Sequence, residues 1–252
     1  MASPKDYARF ADLGYDDFRR MATDAQLTDN EKIGFPDSYR RGKDAEILLD
    51  IRRKLAVIDE RGKVVLDVGP GCSELPRLIV ELCRRQGHEL LLVDSAEMLA
   101  HLPDESYIKK WPAFYPDCPE LFEQYANRVN VMLVYSVFQY LFAESNVWRF
   151  LDRSLTLLAP GGQMLIGDIP NISKRKRFFA SGSGAAFHRS FTGRNENPEV
   201  YFNRLEPDQV DDSVVMAIVQ RARAAGYDAY VLPQATTLPM ANRREDILVV
   251  RP

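Results

Sequence analysis

The segment VVLDVGPGCSE, residues 64–74, combines residue types that suit the binding of a charged small molecule. Four apolar residues flank a single acid, Asp67, at the point where a buried strand is expected to end. Gly69, Pro70 and Gly71 follow, and the missing Cβ of glycine lets the backbone turn sharply and approach a ligand closely. A helix that begins after this turn would direct its unpaired N–H groups at the same place. The segment therefore predicts a nucleotide-type cofactor site on an α/β sheet.

Glu74, which follows the glycine turn, limits the kind of cofactor that the site could bind. A dinucleotide-binding fingerprint requires a third small residue, as in G-x-G-x-x-G/A, but Glu74 stands there and would place an anion where a pyrophosphate lies. A P-loop would need Gly-Lys-Ser/Thr after the turn, and the chain has none. An acid followed by two glycines favours a cofactor that has an amine and no phosphate.

A second acid, Asp94, ends the next apolar segment, ELLLVD. A carboxylate at the end of a neighbouring parallel strand can accept hydrogen bonds from both hydroxyls of a ribose. Ser95 is expected to cap a short helix that contains Met98. The two acids thus predict one site at the carboxyl ends of two strands.

Apolar strands alternate with amphipathic helices along most of the chain, which predicts a parallel sheet covered on both faces. The predicted strands are 64–68, 89–94, 106–111, 129–137, 163–169, 228–233 and 245–250. The predicted helices are 44–60, 74–86, 119–127, one that Ser145 caps, and 212–225. Residues 170–210 are polar and aperiodic, so they are expected to form an insertion, since an ordinary connection is shorter.

These motifs together resemble those of the class I S-adenosylmethionine-dependent methyltransferases, over about residues 44–250. The shared signals are the two acids, the Pro-Gly-Gly turn at 160–162 and the final pair of strands, which resembles the family's antiparallel hairpin. The resemblance implies an α/β fold with a doubly wound, mostly parallel seven-stranded sheet of Rossmann-like type. It also implies an N-terminal helical or lid extension over 1–43, a methyltransferase domain over 44–252, and a substrate-side lid insertion at about 170–210.

The resemblance also assigns the cofactor-binding residues. Asp67 would receive the amino group of the methionine moiety and Asp94 the ribose, while Met98 either packs on the adenine or is a core methionine. The expected cofactor contacts within the domain are Asp67, Gly69, Pro70, Gly71, Asp94, Ser95, Met98, Tyr135 and Ser136. An acid that reads the adenine amino group is not evident, because Trp111–Phe114 occupy that region.

The segment EKIGFPDSYRRGKDAEI, 31–47, resembles the lead-in of small methyltransferases that modify sugars and surface polysaccharides. Its basic and aromatic residues include Tyr39 and Arg40. Folded over the site, these two residues would meet the carboxylate of the cofactor. The alternative is a solvated helix start.

Methyl transfer from a sulfonium mainly requires that a nucleophile is held in line and that water is excluded. A general base helps when the nucleophile is a hydroxyl. Of the three histidines, His188 lies in the insertion and is the first candidate base, although an ordinary exposed loop histidine is the alternative. Asp168, at the end of the fifth strand, is the second candidate and Tyr140 the third.

Basic residues in the insertion suggest the substrate. The expected substrate-binding residues are Lys174, Arg175, Arg177 and Arg189. They favour a small anionic acceptor, such as a nucleotide sugar or a phosphorylated intermediate, over the alternative of a solvated charged face. The Ser-Gly repeat at 181–184 would give this segment the flexibility of a closing lid.

Composition excludes several classes of protein. The net charge of −3 and the pI of about 5.7 argue against a nucleic-acid binder, and no apolar run approaches the length of a membrane span. Three cysteines without C-x-x-C spacing predict free thiols in a reducing cytoplasm and no metal site. We therefore expect a cytoplasmic methyltransferase that acts on an oxygen or nitrogen of a small molecule. A catalytically silent cofactor-binding protein is the alternative, and an NAD-dependent oxidoreductase is disfavoured by Glu74 and by the final hairpin.

Overall fold

The computed structural model of the protein describes residues 9–10, 13–204 and 206–252, so that part of the predicted 1–43 extension lies outside the described residues. The sheet has seven strands in the order β3-β2-β1-β4-β5-β7-β6. Their bounds are Val64–Val68 (β1), Glu89–Asp94 (β2), Ile108–Pro112 (β3), Val129–Tyr135 (β4), Leu158–Pro170 (β5), Asp228–Pro233 (β6) and Arg244–Val250 (β7). Strand β7 is antiparallel to both of its neighbours, and β1 to β5 are parallel to one another. The predicted sheet and its final hairpin are confirmed.

Helices connect and cover the strands. Their bounds are Tyr15–Thr23 (α1), Asp29–Lys32 (α2), Asp37–Arg40 (α3), Asp44–Lys54 (α4), Glu74–Gln86 (α5), Ala96–Leu99 (α6), Pro119–Tyr125 (α7), Phe138–Glu144 (α8), Val147–Leu157 (α9), Ile172–Phe179 (α10), Gly182–Thr192 (α11) and Asp212–Ala224 (α12), with 3-10 turns at Ala56–Asp59 and Ala241–Arg243. None of these helices, in the ranges described, is long and apolar enough to cross a bilayer.

The core lies on both faces of the sheet because successive strand side chains point to opposite sides. In β1, Leu66 and Val68 pack into a cluster with α7, α8, α9 and α12, whereas Val65 packs into a second cluster with α4 and α5. The two-sided apolar strands are therefore buried as the sequence predicts. Gly87 ends α5 in a left-handed conformation, with its N–H donating to the carbonyls of the last turn.

Two predictions about local structure are wrong. Ser145 does not cap a helix start; it follows the end of α8, and its Oγ donates to the Leu141 carbonyl at 2.7 Å. The cap of α9 is Asn146, whose Oδ1 accepts from the backbone N–H groups of Trp148 and Arg149, both at 3.0 Å. Serine and asparagine are both good N-caps. Because Ser145 follows the end of α8, a helix that was not predicted, the N-cap of α9 lies one residue later than expected.

The segment 170–210 is not aperiodic, because it contains α10 and α11. Ser181 caps α11 by accepting from the Gly184 N–H at 3.2 Å. A Cβ on Gly184 would lie 2.0 Å from the Phe178 carbonyl oxygen, so this glycine allows the two helices to pack closely. The glycines that suggested a flexible hinge therefore belong to a packed helix start.

Candidate active site

A cleft opens at the carboxyl ends of β1, β2 and β4, where the strand order reverses and where ligands of open α/β sheets bind. It encloses about 950 Å³, including its open mouth, which is within the range of small-molecule sites. Of the predicted cofactor residues, those that line it are Arg40, Asp67, Gly69, Pro70, Gly71, Asp94, Met98, Tyr135 and Ser136. Ser95 and Tyr39 lie beside the cleft. Ser95 caps α6, and Tyr39 borders a smaller cavity.

Side chains from two segments of the chain pack against the glycine turn. Gly69 and Gly71 both have φ of +67°, a left-handed conformation that glycine adopts without strain. A Cβ on Gly69 would lie 2.6 Å from Val137 Cγ2, and one on Gly71 would lie 2.6 Å from Ile33 Cγ2. Only glycine therefore fits at this turn, between Val137, which precedes α8, and the N-terminal segment.

Asp67 presents a buried carboxylate to the cleft. Its residue is 3% exposed, and within the described part of the chain it has no hydrogen-bond donor. Burial, together with the charge of Asp94, raises the pKa of Asp67 to about 8. A cationic group in the cleft would stabilise the ionised form and supply the missing donor.

Asp94 is fixed to the glycine turn. Its Oδ2 accepts from the Gly71 N–H at 3.0 Å, and its Oδ1 accepts from the Ser95 N–H at 2.7 Å. Burial raises the pKa of Asp94 to about 6, although these two backbone hydrogen bonds act to lower it. Below this carboxylate Met98 is 2% exposed and packs against Ala22, so it is both a core residue and part of the cleft wall.

The N-terminal segment covers the cleft, although its first helix carries no recognisable sequence motif. Tyr15 meets the ring of Phe114 edge-on at 4.9 Å, and Phe18 meets Tyr140 edge-on at 4.8 Å. The Tyr15 N–H donates to the Glu144 carboxylate at 3.1 Å, which ties α1 to α8. Burial and the nearby Asp94 carboxylate raise the pKa of the Tyr15 hydroxyl to about 12.

Helix α1 is also attached to α6 and to His101, which follows α6. Arg19 donates to the Glu97 carboxylate at 2.8 Å, and the His101 ring lies 2.8 Å from the Ala22 carbonyl. The side chains of the N-terminal segment that line the cleft are Tyr15, Phe18, Ile33, Phe35 and Arg40. Ile33, Phe35 and Arg40 of the segment 31–47 therefore line the cleft.

Arg40 is a buried cation at the end of the cleft. Its residue is 5% exposed, and its Nη1 donates to Ser136 Oγ at 3.3 Å. Its Nε faces Asp44 Oδ1 at 3.8 Å, too far for a hydrogen bond, and neither of these buried atoms has a hydrogen-bond partner among the described residues. Among the cleft residues that the structure describes, Arg40 is the only one with a positive charge.

Ser136 and Asp168 meet just beyond the cleft. Ser136 follows β4, Asp168 lies near the end of β5, and Ser136 Oγ donates to Asp168 Oδ2 at 2.6 Å. Their φ angles are +61° and +55°, which non-glycine residues adopt rarely. Tyr140 lines the cleft nearby, and burial raises the pKa of its hydroxyl.

His188 is not brought to this site. It lies on α11 and contacts the Phe179 ring edge-on at 6.3 Å, and it is not among the residues that line the cleft. His88 is 1% exposed; its Nδ1 accepts from the Lys63 N–H at 3.0 Å, so its Nε2–H donates to the Ile58 carbonyl at 3.0 Å. Of the three predicted catalytic residues, the structure places Asp168 and Tyr140 together and His188 apart.

The cations that were predicted to bind the substrate interact with other residues, away from the cleft. Lys174 Nζ donates to the Arg244 carbonyl at 2.6 Å, and Arg177 pairs with Asp212. Arg175 lies over the Phe179 ring at 5.4 Å, and Arg189 donates to Asn197 at 2.8 Å. None of these four residues lines the cleft. In the described chain their contacts hold α10 and α11 in place.

Comparison with known proteins gives no match to a protein-family model and none to a curated protein. Solved structures do match. A crystal structure of the CurJ carbon methyltransferase is 16% identical, with a TM-score of 0.54 over 85% of this chain and 56% of that one. Phosphoethanolamine N-methyltransferase 2 of Haemonchus contortus, in complex with S-adenosyl-L-methionine, is 14% identical, with a TM-score of 0.53 over 93% of this chain and 60% of that one.

A third structure matches along its whole length. The plantazolicin methyltransferase BpumL, in complex with S-adenosylhomocysteine, is 12% identical, with a TM-score of 0.56 over 93% of this chain and 95% of that one. The present chain spans under two thirds of the length of the first two proteins. The strand order with its antiparallel β7, the cleft at the switch point and these matches agree with one another. The chain has the Rossmann-like fold of the class I S-adenosylmethionine-dependent methyltransferases.

Proposed function

We propose that the protein is an S-adenosylmethionine-dependent methyltransferase that acts on an oxygen or nitrogen of a small molecule. The observation that carries the proposal is the pair of acids at the glycine turn, of which Asp67 is buried and Asp94 is partly exposed. No described residue donates a hydrogen bond to the buried Asp67 carboxylate, whereas Asp94 is oriented by the N–H groups of Gly71 and Ser95. A buried carboxylate without a donor is destabilised unless a cation reaches it.

The charges of the cleft are complementary to this cofactor. Asp67 would bind the amino group, and Asp94 would accept hydrogen bonds from the ribose hydroxyls. Arg40, whose Nε has no hydrogen-bond partner in the described part of the chain, would bind the carboxylate. When bound, S-adenosylmethionine supplies a methyl group on a positively charged sulfur. Met98 and Phe114 line the part of the cleft next to Asp94 and offer apolar surfaces to the adenine.

A dinucleotide fits these charges poorly. Its pyrophosphate would lie at the glycine turn, between the carboxylates of Asp67 and Asp94, and Arg40 is the only cation among the described cleft residues. Like charges at such close range are strongly unfavourable in a buried site. The NAD-dependent alternative therefore loses further support.

The N-terminal segment and the aromatic residues of the cleft exclude water from the reacting groups. Phe18 and Tyr140 form one wall, and Phe35 lies over the guanidinium of Arg40 at 5.0 Å. A nucleophile enclosed in such a site is desolvated and held close to the methyl group, which is the main requirement of an in-line displacement. This enclosure supports a small acceptor.

The anionic acceptor expected from the sequence has weaker support. Its basis was the basic run at 174–177, whose side chains make contacts within the described chain away from the cleft. The solved neighbour that acts on phosphoethanolamine bears only on its own substrate. A role in sugar or polysaccharide modification and a cytoplasmic location remain predictions from the sequence.

Calorimetry with S-adenosylhomocysteine tests the proposal. We expect the wild type to bind it, and Asp94→Ala to weaken binding at least about tenfold, the loss expected for a charge-assisted hydrogen bond. Asp104→Ala is the matched control, because Asp104 is an exposed acid that pairs with Lys110 away from the cleft. Absence of binding to the wild type, or equal binding by Asp94→Ala, would contradict the proposal.

Transfer is measured separately, as S-adenosylhomocysteine formed from S-adenosylmethionine with a panel of phenols, alcohols and amines. We expect turnover with at least one class. A protein that binds the cofactor tightly but never releases the demethylated product would be the catalytically silent binder considered from the sequence.

A further inference from the structure

Helices α10 and α11, which follow β5, form a helical hairpin whose side chains are largely unburied. Residues 172–204 are all described, and Gly184 is the only buried residue among them. Helix α12, in contrast, buries one apolar face against the sheet, with Val215, Ile218, Val219 and Ala222. Helices of globular proteins normally bury their apolar face in this way. The apolar side chains of the helical hairpin are therefore available to a partner outside the described chain.

Four phenylalanines of the helical hairpin form one group, the phenylalanine cluster (Phe178, Phe179, Phe187 and Phe191). The ring centroid of Phe178 lies 5.1 Å from that of Phe179 and 5.9 Å from that of Phe187. Phe187 is stacked on Phe191 at 5.9 Å. Phe187 is 39% exposed, and the other three rings are partly exposed. Contiguous exposed apolar surface of this kind usually marks an interaction site.

The same segment is basic and contains no acid. Between residues 169 and 195 the sequence has six lysines or arginines and no aspartate or glutamate. The segment thus carries +6 and the whole chain −3, so all other residues together carry −9. This separation of charge turns the helical hairpin toward an anionic surface and the rest of the molecule away from it.

Most of these cations have no acidic partner. Lys176 pairs with Glu206, and Arg177 pairs with Asp212. The other four have no carboxylate within 4 Å in the described part of the chain, and they are Lys174, Arg175, Arg189 and Arg194.

Positive charge also borders the phenylalanine cluster directly. The guanidinium of Arg175 lies 5.4 Å from the Phe179 ring, and that of Arg243 lies 5.3 Å from the Phe187 ring. An apolar group and its cations therefore share one surface of the helical hairpin.

We propose that this surface docks on an anionic lipid membrane, with the phenylalanine cluster at the boundary of head groups and acyl chains and the arginines on the lipid phosphates. Aromatic rings beside Lys and Arg are the pattern of helices that lie in this boundary. Cations close to anionic lipids are stabilised by the negative surface potential. The proposal concerns a surface outside the cleft and does not depend on the proposed function.

The combination of rings and charges favours lipid over other occupants. A purely acidic partner would leave the Phe187 ring in water, and a purely apolar one would leave the cations without counter-charges. An anionic bilayer offers phosphates at its surface and hydrocarbon beneath them. A second copy of this chain would bring two basic segments together across a two-fold axis, where like charges repel.

The helical hairpin and the cleft lie at the same edge of the sheet. Helix α10 begins directly after β5, whose carboxyl end lies beside that of β4. Arg243 directly precedes β7, which starts at this edge because it is antiparallel to β5. Docking would therefore bring the cleft close to the lipid surface.

Sedimentation of the full chain with vesicles tests the proposal. The probes are vesicles of phosphatidylcholine alone and vesicles of phosphatidylcholine with about one third phosphatidylglycerol. We expect the anionic vesicles to bind the protein at least about tenfold more tightly than the neutral ones. Salt at about 0.5 M should weaken the binding to anionic vesicles at least about tenfold.

Two variants test the place of contact. Phe187→Ser removes the most exposed ring of the phenylalanine cluster, and Arg175→Glu combined with Arg194→Glu reverses two charges. Each variant should weaken binding to the anionic vesicles at least about tenfold. All three residues are exposed, so the urea midpoints should stay close to that of the wild type.

Matched controls carry the same changes at the opposite, amino edge of the sheet. Tyr230→Ser removes an aromatic ring that is 46% exposed near the start of β6. Arg84→Glu combined with Arg85→Glu reverses two exposed charges at the end of α5. Both controls should bind the anionic vesicles like the wild type.

Several results would overturn the proposal: no binding to anionic vesicles, equal binding to neutral ones, or losses in the controls as large as in the variants of the helical hairpin. Unchanged binding by Phe187→Ser would overturn it as well. Sedimentation velocity without vesicles tests the second copy as the occupant. A dimer that Phe187→Ser dissociates would show that the chain covers its own phenylalanine cluster, and the membrane proposal would fail.

Discussion

Lys54 Nζ lies 2.6 Å from Asp246 Oδ2, and this contact joins residues 192 positions apart in the chain. Lys54 ends α4 and Asp246 lies in β7, so the pair connects the start of the domain to its last strand. Asp246 also accepts from the Asp168 N–H at 2.8 Å and from Gln234 Nε2 at 3.1 Å. The ion pair therefore supports the backbone that carries Asp168.

Replacement of Lys54 should be strongly destabilising. Asp246 is fully buried and Asp50, the second partner of Lys54, is nearly so, and Lys54→Met would leave both carboxylates without their cation. Loss of one partner from a buried ion pair typically lowers the free energy of unfolding by about 3–5 kcal/mol. Urea denaturation of the two proteins measures the difference.

Arg84→Met is the matched control for Lys54→Met. Arg84 pairs with Glu81 on the surface of α5, with side-chain exposures of 61% and 45%. Exposed pairs contribute about 0–1 kcal/mol, so this variant should unfold near the wild-type midpoint. Equal losses in the two variants would show that burial of the Lys54 pair is unimportant.

The stability of the ligand-free protein should depend on Asp67 between about pH 4 and pH 8. Burial and Asp94 raise the pKa of Asp67 from 3.8 to about 8, so the folded state binds the proton more tightly than the unfolded state. Its contribution is fully present below the unfolded pKa and is lost as the pH rises through the folded one, by up to about 1.4 kcal/mol per pH unit. Asp67→Asn should therefore gain stability relative to the wild type as the pH rises, measured by urea denaturation at pH 5, 6.5 and 8.

The same carboxyl should release a proton when the cofactor binds. An ammonium group beside Asp67 favours the ionised form and lowers its pKa. Calorimetric titration with S-adenosylhomocysteine at pH 7, in buffers of different ionisation enthalpy, should give a positive count of released protons for the wild type and a smaller one for Asp67→Asn. An identical count would mean that Asp67 does not meet the amino group.

Gly71→Ala should weaken cofactor binding more than it weakens the fold. The new Cβ would lie 2.6 Å from Ile33 Cγ2, so the turn or the N-terminal segment over the cleft must shift. Gly62→Ala is the control, because Gly62 has the same φ of +67° and no atom within 4 Å of an added Cβ. Both variants should lose about 1–2 kcal/mol of stability from the left-handed backbone, and Gly71→Ala should lose more. Only Gly71→Ala should lose at least tenfold in calorimetric affinity for S-adenosylhomocysteine.

We expect Arg40 to contribute to binding of the amino-acid moiety of the cofactor and not of its adenosine moiety. Arg40→Met should weaken S-adenosylhomocysteine by at least about tenfold, since a buried charge-assisted pair is lost. 5′-Methylthioadenosine lacks the amino and carboxyl groups of the amino-acid moiety, so the affinity of the protein for it should change less than twofold. Arg41→Met is the control, because Arg41 is an exposed neighbour that pairs with Asp37. Equal losses for both ligands would place Arg40 away from the carboxylate.

Much of the fold could be predicted from the sequence because its signals are local. Strands such as β1 and β2 are apolar on both faces and carry an acid at or next to their carboxyl end, which is typical of a parallel sheet with a site at its edge. The turn at Gly69–Gly71 and the acid Asp94 lie within one continuous βαβ unit. Their proximity follows from the connection alone, as the hydrogen bond between Gly71 N and Asp94 Oδ2 illustrates.

The acceptor side could not be predicted in the same way, because distant segments meet there. Gln234 and Asp246 contact Asp168, and Lys54 pairs with Asp246; no local pattern relates these residues to Asp168. The basic run at 174–177 was overinterpreted, since charged side chains near a site are often paired with neighbours such as Asp212 and Glu206. The helix over the cleft, with Tyr15 and Phe18, lacked any recognisable motif.

The position of β7 between β5 and β6 has a consequence for the newly made chain. Strand β6 is synthesised before β7, and within the described sheet β7 is its one neighbour, so in this part of the chain β6 has no strand to pair with until residues 244–250 have followed. The first five strands can pair without them and already carry Asp67 and Asp94. During synthesis the cofactor half can therefore assemble first, and the wall around Asp168 is completed only when Asp246 is in place.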